Sequence, residues 1–206
     1  SLVKLADREN FTTNNNFQLP TFAQIDRILA KAIEQAKILG DKRAQAYAFG
    51  DRGNLYEIDS PDRDLNKAET FTKNAISLAS TFEASDISSQ LFWQLGRINK
   101  VQGKTEAAIA SYTKAFDTLQ SLRSDLVAIN PELQFSFRDS VQPVYRQLVE
   151  LNLDYASSLN KATDKQTEEK KDRLLTQARN VIESLQVAEL NNFFREVCID
   201  AKPIAI

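Results

Sequence analysis

Residues 90–116 read QLFWQLGRINKVQGKTEAAIASYTKAF. Leu91, Phe92, Leu95 and Ile98 recur at helical spacing, Gly103 interrupts, and Ala108, Ile109, Tyr112, Ala115 and Phe116 resume it. Two amphipathic helices joined by a glycine turn are the simplest reading. The small residues are placed unevenly. Gly96 on the first helix and Ala108 on the second allow close approach, while Phe92 and Tyr112 fill the wider gaps beside them. The expectation is that Gly96 faces Ala108 across the hairpin.

The same grammar extends in both directions. Upstream, Phe22, Ile25, Ile28, Leu29, Ala32, Ile33, Ala36 and Leu39 predict a helix that Gly40 ends. A second is expected from about Asp41 to Ile58, and a third from the Ser60-Pro61-Asp62 start to about Phe82. Asp86 is the expected cap of the fourth, which reaches Val101, and the fifth runs from Thr105 to about Ala128. Asn130-Pro131 then interrupts. A connector through Phe135 and Phe137 leads to a sixth helix, about Ser140 to Leu159. The charged run Lys161–Lys171 reads either as a solvated linker or as exposed first turns. A seventh helix carries Leu174, Ala178, Val181, Leu185 and Ala188, its stripe continued by Leu190, Phe193, Phe194 and Val197. Residues 1–19 read as a helix remnant or flexible segment, 20–128 as helical repeats and 129–206 as an atypical helical pair. The fold class is therefore all-α, a stack of antiparallel helix hairpins.

Composition narrows the function. The 26 basic and 28 acidic residues nearly cancel, so no global field draws the chain to nucleic acid or to an anionic membrane. No apolar run is long enough to span a bilayer, and one cysteine allows no internal disulfide. A cytoplasmic location is the expectation; with Ser1 as first residue, a leader ahead of it would escape notice. Histidine is absent, which removes the usual imidazole base and the Ser-His and Cys-His pairs. Cys198, between Val197 and Ile199, reads as a core filler. Glu168, Glu169 and Asp172 interleave with Lys165, Lys170 and Lys171, the pattern of a solvated face and not of a metal site. No phosphate-binding loop or ligand spacing is present, so no cofactor, no metal and no catalytic residue is expected.

Two segments superpose: Gly53, Tyr56, Ala68, Thr72 and Ala75 on the one hand, and Leu95-Gly96, Ala108, Tyr112 and Ala115 on the other. The second resembles the tetratricopeptide repeat, whose first helix carries a large residue before Leu-Gly and whose second carries Ala, Tyr and Ala. Phe92 and Gly103 fit it too. The first segment departs at Arg52 and Thr72, where Leu and Tyr stand in the family. Gly53 and Gly96 are 43 residues apart, against about 34 in the common repeat. The resemblance implies a right-handed superhelix in which the first helix of each pair lines a concave groove. The family's groove positions fall on Tyr47, Gly50, Asn54, Glu57 and Ile58, and on Gln90, Trp93, Arg97, Lys100 and Val101. Arg97 and Lys100 either grip an acidic group or are ordinary surface charges; Trp93 is either an anchor or a packing residue.

A further resemblance lies downstream. Leu122-Arg123-Ser124-Asp125-Leu126, Asn130-Pro131-Glu132, Gln134-Phe135-Ser136-Phe137-Arg138, Pro143-Val144-Tyr145-Arg146, residues 178–186 and residues 188–196 are similar to the segment that precedes a CHAT domain. CHAT domains are caspase-like cysteine peptidase domains, often preceded by such repeats in cyanobacteria. The resemblance implies a non-catalytic helical portion whose partner is a protein or peptide, the downstream peptidase domain in cis among the candidates. Phe135, Phe137 and Tyr145 read either as packing or as a docking surface for that domain. The alternative to recognition is a spacer or self-association module.

Overall fold

In the computed structural model the described residues are 19–82, 84–129, 141–159 and 164–200, without the side chains of 123–129, 191–192 and 194–200. They form seven α-helices and no strand: α1 Phe22–Ile38, α2 Lys42–Glu57, α3 Leu65–Ala79, α4 Ser85–Val101, α5 Thr105–Ile129, α6 Gln142–Ser158 and α7 Lys165–Asp200. Helix thus accounts for well over half of the described residues, and none of these helices is long and apolar enough to cross a membrane. The expected connector through Phe135 and Phe137, the start at Ser1–Arg8 and the Cys198 side chain lie outside the described residues.

The chain divides into two compact units, one up to Leu122 and one from Arg123. In the first, each helix runs antiparallel to the one before it. Phe22 meets Tyr56 edge-on at 5.2 Å between α1 and α2, and Phe71 of α3 lies 5.7 Å from Tyr56 on the other side. Ile25, Leu29 and Leu55 form one core cluster. Tyr56, Ala68 and Ile98 form a second. Ala75, Ala79, Ala84, Ile87 and Leu91 form a third, with Phe49 and Phe82 against it.

Two of the joints share one design. After α1, Gly40 at φ 69° lets Asp41 N–H reach the Ala36 carbonyl at 2.9 Å; after α4, Gly103 at φ 74° lets Lys104 N–H reach the Asn99 carbonyl at 2.9 Å. Both close the last turn with a left-handed residue that glycine adopts without a Cβ penalty. α1 begins with a capping box, Gln24 N–H donating to Thr21 Oγ1 and Thr21 N–H to Gln24 Oε1.

Two expected helix starts shift and a third, left open between two readings, is decided, each for a local reason. α3 does not begin at Ser60-Pro61-Asp62. The Ser60 carbonyl accepts from Arg63 N–H at 3.1 Å, which closes a turn with Pro61 at its second position. The true cap is Asp64, which accepts from the N–H groups of Asn66 and Lys67 at 3.1 and 3.0 Å. Asp86 is not a cap either. It lies inside the first turn of α4, whose N-cap position is Ala84, and it spends its carboxylate on Arg43. Finally, Lys165–Lys171 is helical: Asp164 accepts from Thr167 N–H at 2.9 Å, and the charges that follow are exposed first turns.

In the second unit α6 and α7 pair antiparallel. Gln142 donates to Glu189 at 2.8 Å at one end, and Lys170 donates to the Tyr155 hydroxyl at 2.7 Å at the other. Val144, Tyr145, Leu148 and Leu151 of α6 are buried, as are Leu174, Ala178, Val181 and Leu185 of α7.

One ion-pair cluster ties helices in the first unit together and makes its stability depend on acid. Glu69 of α3 accepts from Lys73 at 2.6 Å and from Lys104, at the entry to α5, at 2.9 Å. Those two donors, Lys73 first, hold its carboxyl at about 2 against an ordinary 4.5, with partial burial opposing them. An unfolded chain binds that proton more readily than the folded one between these values. The stabilisation is therefore complete above about pH 4.5 and is lost as the pH falls toward 2. Denaturation midpoints measured down that range should fall less steeply in Glu69→Gln than in the wild type; parallel acid limbs would show that Glu69 contributes nothing.

Candidate protein-interaction surface

α2 and α4 lie side by side and parallel, as the Arg43–Asp86 and Glu57–Arg97 pairs at matching ends require. Two glycines on α2 make this possible. A Cβ on Gly50 would stand 2.8 Å from Leu91 Cδ2, and one on Gly53 would stand 2.5 Å from Thr72 Oγ1 and 2.8 Å from Gln94 Nε2. The space kept open at Gly53 admits a buried polar bridge. Gln94 Nε2 of α4 donates to the Gly50 carbonyl at 3.1 Å on α2 and to Thr72 Oγ1 at 2.9 Å on α3, and Thr72 Oγ1 donates to the Ala68 carbonyl at 2.7 Å. One amide thus joins three helices.

The two departures from the repeat pattern acquire reasons here. A tyrosine at Thr72 would fill the space that Gln94 occupies. Arg52, in place of leucine, donates in bidentate fashion to Asp26 of α1 at 2.7 and 3.1 Å and lies 4.4 Å over the Phe71 ring. In the second hairpin the glycine meets tyrosine directly. The nearest atoms to a Cβ on Gly96 all belong to the Tyr112 ring, at 2.7, 2.9 and 3.1 Å. Gly96 therefore packs face-on against Tyr112, whose ring fills the gap that the missing Cβ leaves. Ala68, Ala75, Ala108 and Ala115 are wholly buried, as expected of close helix contacts, and Tyr56 and Leu95 are buried with them. Phe92 is half-buried beneath the Lys114 ammonium, 5.3 Å from its ring.

Along the outer edge of the α2–α4 pair, residues 43, 47, 50, 54 and 57 form one stripe, and 86, 90, 93, 97 and 100 form its counterpart. Salt bridges close the pair of stripes at both ends. Arg43 of α2 pairs with Asp86 of α4. Glu57 of α2 accepts both Arg97 Nε and Nη2 of α4, at 2.7 and 2.8 Å. Each arginine also covers an aromatic ring one turn away on its own helix: Arg43 lies 5.9 Å over Tyr47, and Arg97 lies 4.7 Å over Trp93. Asp86, the largest influence on Arg43, raises that guanidinium's pKa further. Between the rungs stand Tyr47, which is 47% exposed, Asn54, Gln90 and Trp93.

The structure thus brings Tyr47, Asn54, Glu57, Gln90, Trp93, Arg97 and Lys100 onto one wall. Two other positions expected to line a groove do not lie on it. Gly50 is buried against Leu91, and Ile58 packs on the Ile25–Leu29–Leu55 cluster; Val101 is 52% exposed. The larger difference is electrostatic. Arg97 is committed to Glu57 at 29% and 11% side-chain exposure, and Lys100 is engaged within the chain as well. The sequence reading missed the Arg43–Asp86 and Glu57–Arg97 rungs. The spacing was a usable signal, since Arg43 and Asp86 are 43 residues apart, as Gly53 and Gly96 are, and opposite in charge.

This changes what charge reversal does. A reversal at Arg97 sets two carboxylates against each other at the lower rung. Arg97→Glu should lose about 1–3 kcal/mol, between an exposed pair worth less than about 1 and a buried one worth about 3–5. Swapping the rung, Arg97→Glu with Glu57→Arg, should recover most of it in urea denaturation. A single reversal as stable as the wild type would mean the rung does not hold the helices.

No protein-family model matches the chain, and no curated protein or solved structure resembles it significantly.

Proposed function

We propose that α1–α5 are a tetratricopeptide-like, right-handed stack that recognises protein surfaces through the α2–α4 wall. In this reading the chain positions or restrains an adjoining caspase-like peptidase domain and has no catalytic role of its own. The observation that carries it is the parallel placement of α2 and α4, whose equivalent stripes are aligned by a salt bridge at each end and by close glycine contacts. Side-by-side first helices are what a repeat stack needs in order to offer a continuous ligand-facing surface. The resemblance of residues 122–196 to the segment before a CHAT domain supplies the peptidase.

A second reading has its own support. Both rungs of the wall are satisfied internally, as befits a spacer with no dedicated ligand. The reading frame that encodes this chain decides part of the matter: a caspase-like domain should follow it. In that full-length protein, Tyr47→Ala with Gln90→Ala should alter peptidase activity or its restraint while the helical stack keeps its melting midpoint. Unchanged activity would leave the spacer.

A further inference from the structure

The apolar residues of α7 change sides along its length. Leu174, Ala178, Val181, Leu185 and Ala188 form one buried stripe, on the side that α6 covers. That cover ends at Gln142, the first residue of α6, which donates to Glu189, while α7 runs on to Asp200. Counted at 3.6 residues per turn, Val187, Leu190 and Phe193 lie nearly opposite the buried stripe. Positions 194 and 197, a phenylalanine and a valine, fall on that same side, whereas polar Asn191, Asn192 and Arg195 stand where the α6-facing stripe would continue. Val187, Leu190 and Phe193 are 59%, 55% and 59% exposed. Further up the helix this side is polar, with Thr176, Arg179 and Glu183.

An apolar patch of this kind, turned away from the helix's own partner and bounded by polar residues, is a contact surface. Its spacing says what it fits. Positions 187, 190, 194 and 197 are separated by three, four and three residues, the seam of a helix that pairs with another helix. The order three, four, three reads the same from either end, so the seam matches a second copy of itself whichever way the two helices run. Charges beside such a seam select the partner, and like charges there repel a second copy. Here the flanking positions are Gln186, Asn191, Phe193 and Cys198, none of them charged. An anionic lipid surface is disfavoured, because Glu189, Arg195, Glu196 and Asp200 are three acids to one base.

We infer that residues 187–197 of α7 are a self-association seam whose occupant is the same stretch of a second copy of this chain. The inference stands apart from whatever the α2–α4 wall binds. The seam is about 15 Å long. Three turns of helix cover less than the roughly 800 Å² per partner of a stable interface, so the pairing is weak and reversible.

Sedimentation equilibrium of the full 206-residue chain tests it, over a concentration range of about 5–500 μM suited to a weak pair. The average mass should climb from the 23.2 kDa of one chain toward twice that value. Leu190→Lys and Val187→Lys should each weaken association at least about tenfold, as the loss of a central apolar anchor does. Both side chains are exposed, so helix content and melting midpoint should stay as in the wild type. Leu175→Lys is the contrast: 41% exposed on the same helix, about 22 Å before Leu190, it should associate as the wild type does. A single-chain mass at every concentration overturns the inference. So does association that ignores both seam variants, or that Leu175→Lys weakens equally, since the contact then lies elsewhere.

Discussion

Gly53→Val is expected to lose about 3–5 kcal/mol of folding stability, the largest effect of any single change on the face shared by α2, α3 and α4. Two costs combine. The first is steric: even a Cβ at this position would stand 2.5 Å from Thr72 Oγ1 and 3.1 Å from the Ala68 carbonyl oxygen. The carbonyl belongs to α3's backbone and yields only if the helix moves. The second cost is polar. Displacing Thr72 and Gln94 breaks the amide bridge, and the groups left behind are buried: Thr72 is wholly so and Gln94 is 7% exposed. Each buried group without a partner costs about 1–3 kcal/mol. Urea denaturation followed by Trp93 emission reads the first unit specifically, because Trp93 stands on α4. A loss below about 1 kcal/mol would mean that the three helices are not joined through Gln94.

That contact also shows where the sequence was legible and where it was not. Helices and most of their ends were readable, because apolar periodicity and glycine turns are local signals: Gly40 and Gly103 end α1 and α4 as their positions suggested. The start of α3 was not, since Pro61 suits a helix's first turn and a β-turn equally well, and only the carbonyl of Ser60 decides between them. The charged run at Lys165–Lys171 was undecided for a similar reason, because solvated charges look alike on a linker and on an exposed helix. For the wall, helical spacing was enough to name its residues. It could not say that Glu57 would reach Arg97 from another helix. That pairing depends on how far α4 lies from α2, and Gly50 and Gly53 set that distance through contacts more than twenty residues apart in sequence or on different helices. Arg52 and Thr72 looked like lapses in a repeat. They are instead the residues that bind α2 to α1 and admit Gln94.

Tyr112→Ala should lose about 3–5 kcal/mol, the usual range for deleting a buried aromatic ring. Tyr112 is 1% exposed, and its ring lies flat on the Gly96 backbone. The informative experiment sets this change beside Gly96→Val. Alone, the valine should cost about 1–3 kcal/mol, since its Cβ would have to occupy a point 2.7 Å from the ring. In the double variant the ring is gone, and the valine methyls enter the space it vacated. The combined loss should then fall short of the sum by about 1–2 kcal/mol, beyond the roughly 0.5 kcal/mol within which independent sites add. Pairing Gly96→Val with Ala108→Gly offers the contrast. If Ala108 were the residue facing Gly96, removing its methyl would relieve the valine, and that pair would couple instead. With the ring as the true neighbour, the losses in the Ala108 pair add and those in the Tyr112 pair do not. The two cycles together identify which residue on α5 holds α4 in place.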